Sequence, residues 1–137
     1  MHQFDLRVYY EDTDLAGIVY YANYLKFIER GRSEWVRALG VDQVALKATQ
    51  GLVFAVRRVE ADYLRPAKFD DTLQVVTECL AVTGARIELS QAVLRGANQD
   101  GGERLFVALV TLVCLTDAGQ PARIPADIRA KLLPKRH

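Results

Sequence analysis

The chain has 137 residues, room for one core and not two. Half of them are apolar, 26% are charged and the formal net charge is +1, so the composition is that of an ordinary soluble globular chain. It offers no basic face for nucleic acid, and no segment approaches the roughly 18 consecutive apolar residues of a membrane span.

The opening MHQFDLRVYYEDTD lacks a basic stretch followed by an apolar one, so no signal peptide is expected. Cys79 and Cys114 are isolated in apolar runs and read as buried free thiols, which makes a reducing, cytoplasmic setting the expectation. The histidines, His2 and His137, stand at the two ends. A Ser-His-Asp triad or a His-ligated zinc needs a histidine held in the core, and termini are commonly too mobile for that. Chemistry is therefore expected from carboxylates, hydroxyls and backbone dipoles, with no metal.

In chain order, Phe4 to Tyr10 alternates and predicts a first strand. Glu11 to Gly17 is acidic, ends in glycine and predicts a loop. From about Tyr21 the period becomes helical. Tyr24, Phe27, Ile28, Gly31, Trp35 and Leu39 share one face, and Lys26, Glu29, Arg30, Ser33 and Arg37 the other. Arg30 and Glu34 are spaced for a weak surface pair. Gly31, in the middle of the apolar face, predicts close approach of another backbone. Gly40 closes the helix, and Asp42 is placed to cap a second one to about Thr49.

Leu52 to Leu64 reads as a long strand ended by Arg65-Pro66, and Asp70-Asp71 as a turn. Thr72 to Val82 and Ala85 to Arg95 form a hairpin across Thr83-Gly84, with a bulge expected near Ser90-Gln91. Ala97 to Gly102 is a turn-rich loop. Leu105 to Leu115 is almost wholly apolar and predicts a central strand buried on both faces. Asp117 to Gln120 is a turn, and Pro125 to Leu133 a short helix with Pro125 at its start. One strand, one long helix and then successive antiparallel strands is an α+β layout. One chain has too few helices to cover both faces of Leu105–Leu115, so a second subunit is expected there.

Residues 10–24, YEDTDLAGIVYYANY, carry the most chemistry. Carboxylates crowd a loop that ends at Gly17, and aromatic residues then lead into the helix. No Ser, Thr or Asp stands just before Tyr21, so the first helical N–H groups are open to a developing oxyanion. Asn23 is the alternative, as cap of a later start. A carboxylate in the loop can reach the same point. In an extended segment Asp12 and Asp14 share a face; Asp14 stands nearer the Gly17 turn, which leaves Asp12 to the helix dipole.

The pattern Asp14-x-x-Gly17-x-Val19, followed by aromatics and Ala22-Asn23-Tyr24, resembles the 4-hydroxybenzoyl-CoA thioesterase family of hotdog proteins. The closest likeness is to its Tol-Pal system-associated acyl-CoA thioesterase branch. Tyr9 to Asp14, Phe27 to Glu34, Phe54 to Arg58 and Tyr63 to Ala67 with Asp70-Asp71 all resemble that branch. The likeness spans residues 4–116.

It implies a single hotdog thioesterase domain over residues 1–137, an antiparallel sheet wrapped around one long helix. It also implies a homo-oligomer, dimer or tetramer, with sites between subunits. The family's catalytic aspartate falls on Asp14, its carbonyl-polarising backbone N–H on Tyr21, and its loop glycine on Gly17. The branch often carries histidine where Tyr21 stands. The backbone N–H is the same, while the side chain bears on substrate choice.

The expected function is hydrolysis of acyl-CoA to a free acid and CoA, with Asp14 as general base or nucleophile and no cofactor beyond the substrate itself. Arg57, Arg58 and Arg65, with Lys68 and Arg123, are candidates to meet the CoA phosphates. Acyl carrier protein is the alternative thiol carrier. A hydratase on the same fold would want a histidine in the site. A non-catalytic protein binding acyl chains or acyl carrier protein is the other reading. Glu29 and Glu34 read as solvated helix charges, and Tyr20, Tyr24 and Tyr63 as core or tunnel lining.

Overall fold

The structure, a computed structural model, describes residues 1–97 and 101–133. Part of the Ala97–Gly102 loop, Lys135-Arg136 and His137 lie outside the described residues.

Strand β1, His2–Arg7, precedes one turn of 3-10 helix at Tyr10–Asp12. The long helix α1 is Asn23–Ala38 and α2 is Gln43–Gln50. Then come β2 (Leu52–Tyr63), β3 (Thr72–Val82), β4 (Arg86–Arg95), β5 (Glu103–Thr116) and a short α3 (Ala126–Leu132). The strands form one antiparallel sheet in the order β1-β3-β4-β5-β2. Helix α1 packs over β1, β3 and β4, and α2 contacts the edge strand β2. This is the α+β hotdog layout.

The apolar stripe of α1 is buried as expected at Tyr24, Phe27, Ile28, Gly31 and Trp35, joined by Val36, while Leu39 is half-buried. Asp42 caps α2 by accepting from the Ala45 N–H at 3.0 Å. At Gly40 and Gly51 the chain turns with φ of +82° and +65°, which a side chain would disfavour. Glu34 pairs with Arg37, and Glu29 accepts from the Ser33 hydroxyl at 3.0 Å, so the Arg30–Glu34 pair is replaced by its neighbours.

Several expectations shift. β1 begins at His2 and stops at Arg7, because Val8 leaves the ladder to bond the Asp70–Asp71 turn and bury its side chain. His2 is thereby held in a strand opposite Thr77. The bulge is not at Ser90-Gln91. Register slips in β3 between Cys79 and Ala81, and against β5 between Val93 and Leu94. β5 alternates instead of burying both faces: Phe106, Ala108, Val110, Leu112 and Cys114 point inward, whereas Leu109 is 51% exposed on the outer face. Pro125 stands one residue before α3.

At Gly31 it is a side chain that approaches, not a backbone. A Cβ built there would lie 2.5 Å from Cγ1 of Val75, itself wholly buried on β3. Gly31→Ala should therefore destabilise the fold by about 1–2 kcal/mol, overpacking outweighing the better helix propensity of alanine. Urea unfolding checks this, and the penalty should shrink in a Val75→Ala background. An unchanged penalty there would show that Val75 is not the obstacle.

Candidate active site

Asp12 and Asp14, two residues apart, have opposite fates. Asp12 turns inward and is 8% exposed. Its Oδ2 accepts the Tyr9 N–H at 2.8 Å, and its backbone carbonyl accepts the Tyr20 N–H at 2.8 Å and the Asn23 side-chain amide at 3.2 Å. Asn23 is thus the first residue of α1 and reaches back to Asp12; it does not cap the helix. This clamp ties the loop to the start of α1.

Asp14 points the other way and is exposed. Its Oδ1 accepts the Ala16 N–H at 2.9 Å, and its backbone exchanges bonds with Ile18 and Gly17 at 2.9 and 3.0 Å. The carboxylate is fixed through one oxygen, and Oδ2 has no partner among the described residues. Gly17, at φ +79° with open space where a Cβ would stand, makes the tight return.

The start of α1 has no side-chain cap. The Asn23 N–H bonds to Tyr20 and the Leu25 N–H to Ala22, while the N–H groups of Tyr21 and Ala22 have no acceptor among the described residues. They stand at the positive end of a 16-residue helix. The Tyr20 phenol is held above its ordinary pKa chiefly by the adjoining Tyr21 phenol, with the Asp14 carboxylate a smaller contributor. Tyr63 Oη donates to the Tyr21 carbonyl at 3.0 Å and fixes the peptide from the other side.

Beneath lies an aromatic cluster. Tyr24 stacks on Phe106 with centroids 5.1 Å apart, and Tyr63 meets both edge-on at 5.6 and 5.0 Å. Tyr24 is core, as expected. Its hydroxyl accepts the Ala67 N–H at 2.9 Å, and burial pushes its pKa up.

The Arg65–Asp71 connection supports the loop. Val19 N–H donates to the Ala67 carbonyl at 2.9 Å, and Ile18 bridges Lys68. Arg95 braces this connection by donating to the Pro66 carbonyl at 3.1 Å and to Asp71 at 2.9 Å, while its other nitrogen holds Glu103. Arg95 holds the half-buried Glu103 carboxyl below the ordinary carboxylate range.

The structure therefore places Asp14 and Gly17 in one loop that is tied to the start of α1 through Asp12, with Lys68 bridged to Ile18 of the same loop. Arg65 adjoins the same connection and pairs with Glu103 at 3.3 Å. Arg57 and Arg58 are elsewhere in the single chain. They line a cavity of about 350 Å³ on the outer sheet face with Glu60, Arg86, Glu88 and Leu109, and Arg58 pairs with Glu60. Arg58 is five residues from Tyr63 along β2, roughly 17 Å at the strand rise. His2 lies similarly far along β1 from Arg7. Among the described residues no group of three or more His, Cys, Asp or Glu is placed to hold a metal.

Sequence reasoning overlooked the Asp12–Asn23 tie and the brace at Arg95. A carboxylate three residues after Tyr9, the spacing of a turn cap, was the available signal for the first.

One antiparallel sheet against a single long helix, with a carboxylate loop before an uncapped helix start, is the hotdog class of fold. The thioesterase-like superfamily matches residues 8–132. An acyl-CoA thioesterase, YbgC of Haemophilus influenzae, is 41% identical over 129 residues, covering 93% of this chain and 90% of that protein. The acyl-CoA thioester hydrolase YbgC of Escherichia coli O6:H1 is 34% identical over 135 residues, covering 98% and 91%. A crystal structure of a probable thioesterase from Bartonella henselae superposes with a TM-score of 0.82 at 38% identity, over 90% of this chain and 98% of that one. A 4-hydroxybenzoyl CoA thioesterase structure shares the fold at a TM-score of 0.87 and 20% identity. The chain belongs to the thioesterase-like superfamily and is a thioester hydrolase. The resemblance to 4-hydroxybenzoyl-CoA thioesterases and their Tol-Pal-associated branch agrees with these relatives.

Asp12→Ala should lower stability by about 1–3 kcal/mol, because the Tyr9 N–H loses its acceptor in a part-buried setting. Asp14→Ala, facing solvent, should stay within about 0.5 kcal/mol of wild type. Thermal or urea unfolding of the pair checks the division between the two carboxylates.

Proposed function

We propose that the protein hydrolyses acyl-CoA to a free acid and CoA, with Asp14 as general base or nucleophile and the Tyr21 N–H polarising the thioester carbonyl. The observation that carries this reading is the open pair of N–H groups at the start of α1, preceded by a loop whose Asp14 carboxylate is held through only one of its oxygens. The acyl-CoA thioesterase relatives support the choice of substrate.

With Asp14 as base, a water gives its proton to Oδ2 as its oxygen attacks the carbonyl carbon. Negative charge gathers on the carbonyl oxygen, facing the Tyr21 N–H and the positive end of α1, where preorganised donors are most effective. The C–S bond then breaks, and the CoA sulfur leaves with the proton from Asp14. With Asp14 as nucleophile, Oδ2 attacks directly, the thiolate departs, and water opens the resulting anhydride. The two routes share every residue.

Residues 1–137 serve as one hotdog domain in the cytoplasm, needing no cofactor. Two or four copies assemble around shared sites, and Arg65 and Lys68, or Arg57 and Arg58 brought from a neighbouring copy, meet the CoA phosphates. Acyl carrier protein is the alternative carrier.

Asp14→Asn keeps the shape and removes both charge and proton acceptor. Thiol release from acyl-CoA should fall by roughly 10² to 10⁴-fold, with the melting temperature unchanged. Near-wild-type turnover would remove Asp14 from the mechanism. In light scattering at micromolar concentration the protein should have the mass of a dimer or tetramer, since the inner face of β2 and the outer face of β5 expose apolar side chains. A monomer would rule out sites between subunits.

A further inference from the structure

Between α1 and the edge strand β2 the inner face of the sheet is left open, because α1 lies over β1, β3 and β4. Val56, Val59 and Tyr63 are in register with Leu112, Val110 and Phe106, so they point inward, yet they remain 47, 36 and 49% exposed. On the facing flank of α1, Leu25 is 42% exposed. A furrow therefore follows the helix from the Tyr21–Tyr63 hydrogen bond. It widens at the far end into a cavity of about 210 Å³, where Glu29, Arg32 and Ser33 meet Phe54, Val56 and Leu112.

Arg32 is the cation of that far end. One of its N–H groups donates to Gln91 Oε1 at 3.1 Å. Gln91 is 1% exposed and is itself anchored, Nε2 donating to the Ile28 carbonyl and to Thr77 Oγ1, both at 2.9 Å. The guanidinium is thus held in place by a buried amide. Burial holds it below its ordinary pKa, and no carboxylate lies within ion-pair distance of it among the described residues. Glu29, one turn earlier, accepts from the Ser33 hydroxyl.

We propose that Arg32 is a specificity-determining residue that donates hydrogen bonds to an oxygen acceptor at the far end of the acyl group. The inference rests on acyl-CoA hydrolysis at Asp14 and the Tyr21 N–H. Arg32 is nine residues beyond Asn23, about 14 Å along the helix at 1.5 Å per residue, the reach of an extended acyl chain of medium length. A hydrocarbon end entering the cavity would displace water from the free guanidinium donors and leave them unpaired. A hydroxyl or carboxylate would satisfy them, and a site built to hydrogen-bond its ligand discriminates strongly against one that lacks the group. Because Glu29 lines the same cavity, a hydroxyl, which can also donate, fits better than a second negative charge.

The test compares thiol release from dodecanoyl-CoA, ω-hydroxydodecanoyl-CoA and the mono-CoA thioester of dodecanedioic acid. The proteins are full-length wild type, Arg32→Leu and Arg32→Lys. In wild type, kcat/KM for the ω-hydroxy substrate should exceed that for the plain chain by about tenfold, with the diacid between them. Arg32→Leu should abolish the preference, and Arg32→Lys should retain most of it. Each ratio is internal to one protein and does not depend on the fraction folded; if Arg32→Leu is insoluble, the wild-type ratio and Arg32→Lys decide. A wild type that hydrolyses the plain chain as well or better, or an Arg32→Leu variant that keeps the wild-type ratio, overturns the proposal. Absence of turnover on all three thioesters overturns acyl-CoA hydrolysis itself, a result distinct from equal turnover.

Discussion

The close seat of α1 on the sheet at Gly31 governs much of what surrounds it. With Val75 Cγ1 where a side chain of residue 31 would be, the helix rides nearer to β3 than any residue but glycine allows. That proximity brings the Ile28 carbonyl within 2.9 Å of the Gln91 amide, a buried hydrogen bond from the sheet to the middle of the helix. A buried polar group that is fully paired rigidifies its surroundings, and one left unpaired is costly. Gln91 is paired on three sides, to Ile28, Thr77 and Arg32. The helix is thus registered on β3 and β4, and the second half of β2 is left uncovered.

The same registration decides where the start of α1 falls. Asp12 fastens the incoming loop, its side chain accepting from the Tyr9 N–H and its backbone carbonyl from the Asn23 amide. A carboxylate that caps a helix would neutralise its open N–H groups; Asp12 instead bonds the Tyr9 N–H, in its own turn, and leaves those of Tyr21 and Ala22 unengaged. The loop is supported from below by the Ala67–Val19 hydrogen bond and by Arg95 behind it. The catalytic reading therefore draws on two carboxylates whose chemistry differs by orientation alone, one committed to structure and one facing solvent.

Much of the fold was legible because its signals are local and periodic. The apolar stripe from Tyr24 to Trp35, the Asp42 cap, the glycine stops and the ends of β2 and β3 all follow from side-chain pattern and turn chemistry. The site segment was legible for a different reason, its likeness to a family motif. What stayed hidden depends on pairing between distant segments. Register is a property of two strands, so the irregularity expected at Ser90-Gln91 lies instead in β3 at Cys79–Ala81 and in β4 at Val93–Leu94. The irregular alternation near Gln91 instead reflects a buried polar residue on the inner face. β5 reads as apolar on both faces, but one chain covers only one of them. Arg57 and Arg58 looked like neighbours of the site in a list of basic residues, yet the strand carries them to the outer face, away from Asp14.

The edge strand β2 links these features to assembly. It has twelve residues, and most of its second half is exposed on both faces. An exposed strand edge of that length invites indiscriminate pairing unless something restrains it. Its outward residues in that half are Arg58, Glu60 and Asp62, charges of both signs that disfavour stacking of unlike sheets. Its inward residues, Val56, Val59 and Tyr63, form the wall of the furrow beside α1. Charged outside and apolar inside, such an edge favours a partner that pairs in a fixed antiparallel register and roofs the furrow at the same time. A second copy of this chain has the matching edge, because an antiparallel pairing of identical strands places each strand's charges opposite the other's on one face and its apolar residues on the other. On the proposed assembly, closing the edge and covering the furrow would be one event, and water would leave the furrow beside α1 as the two strands pair.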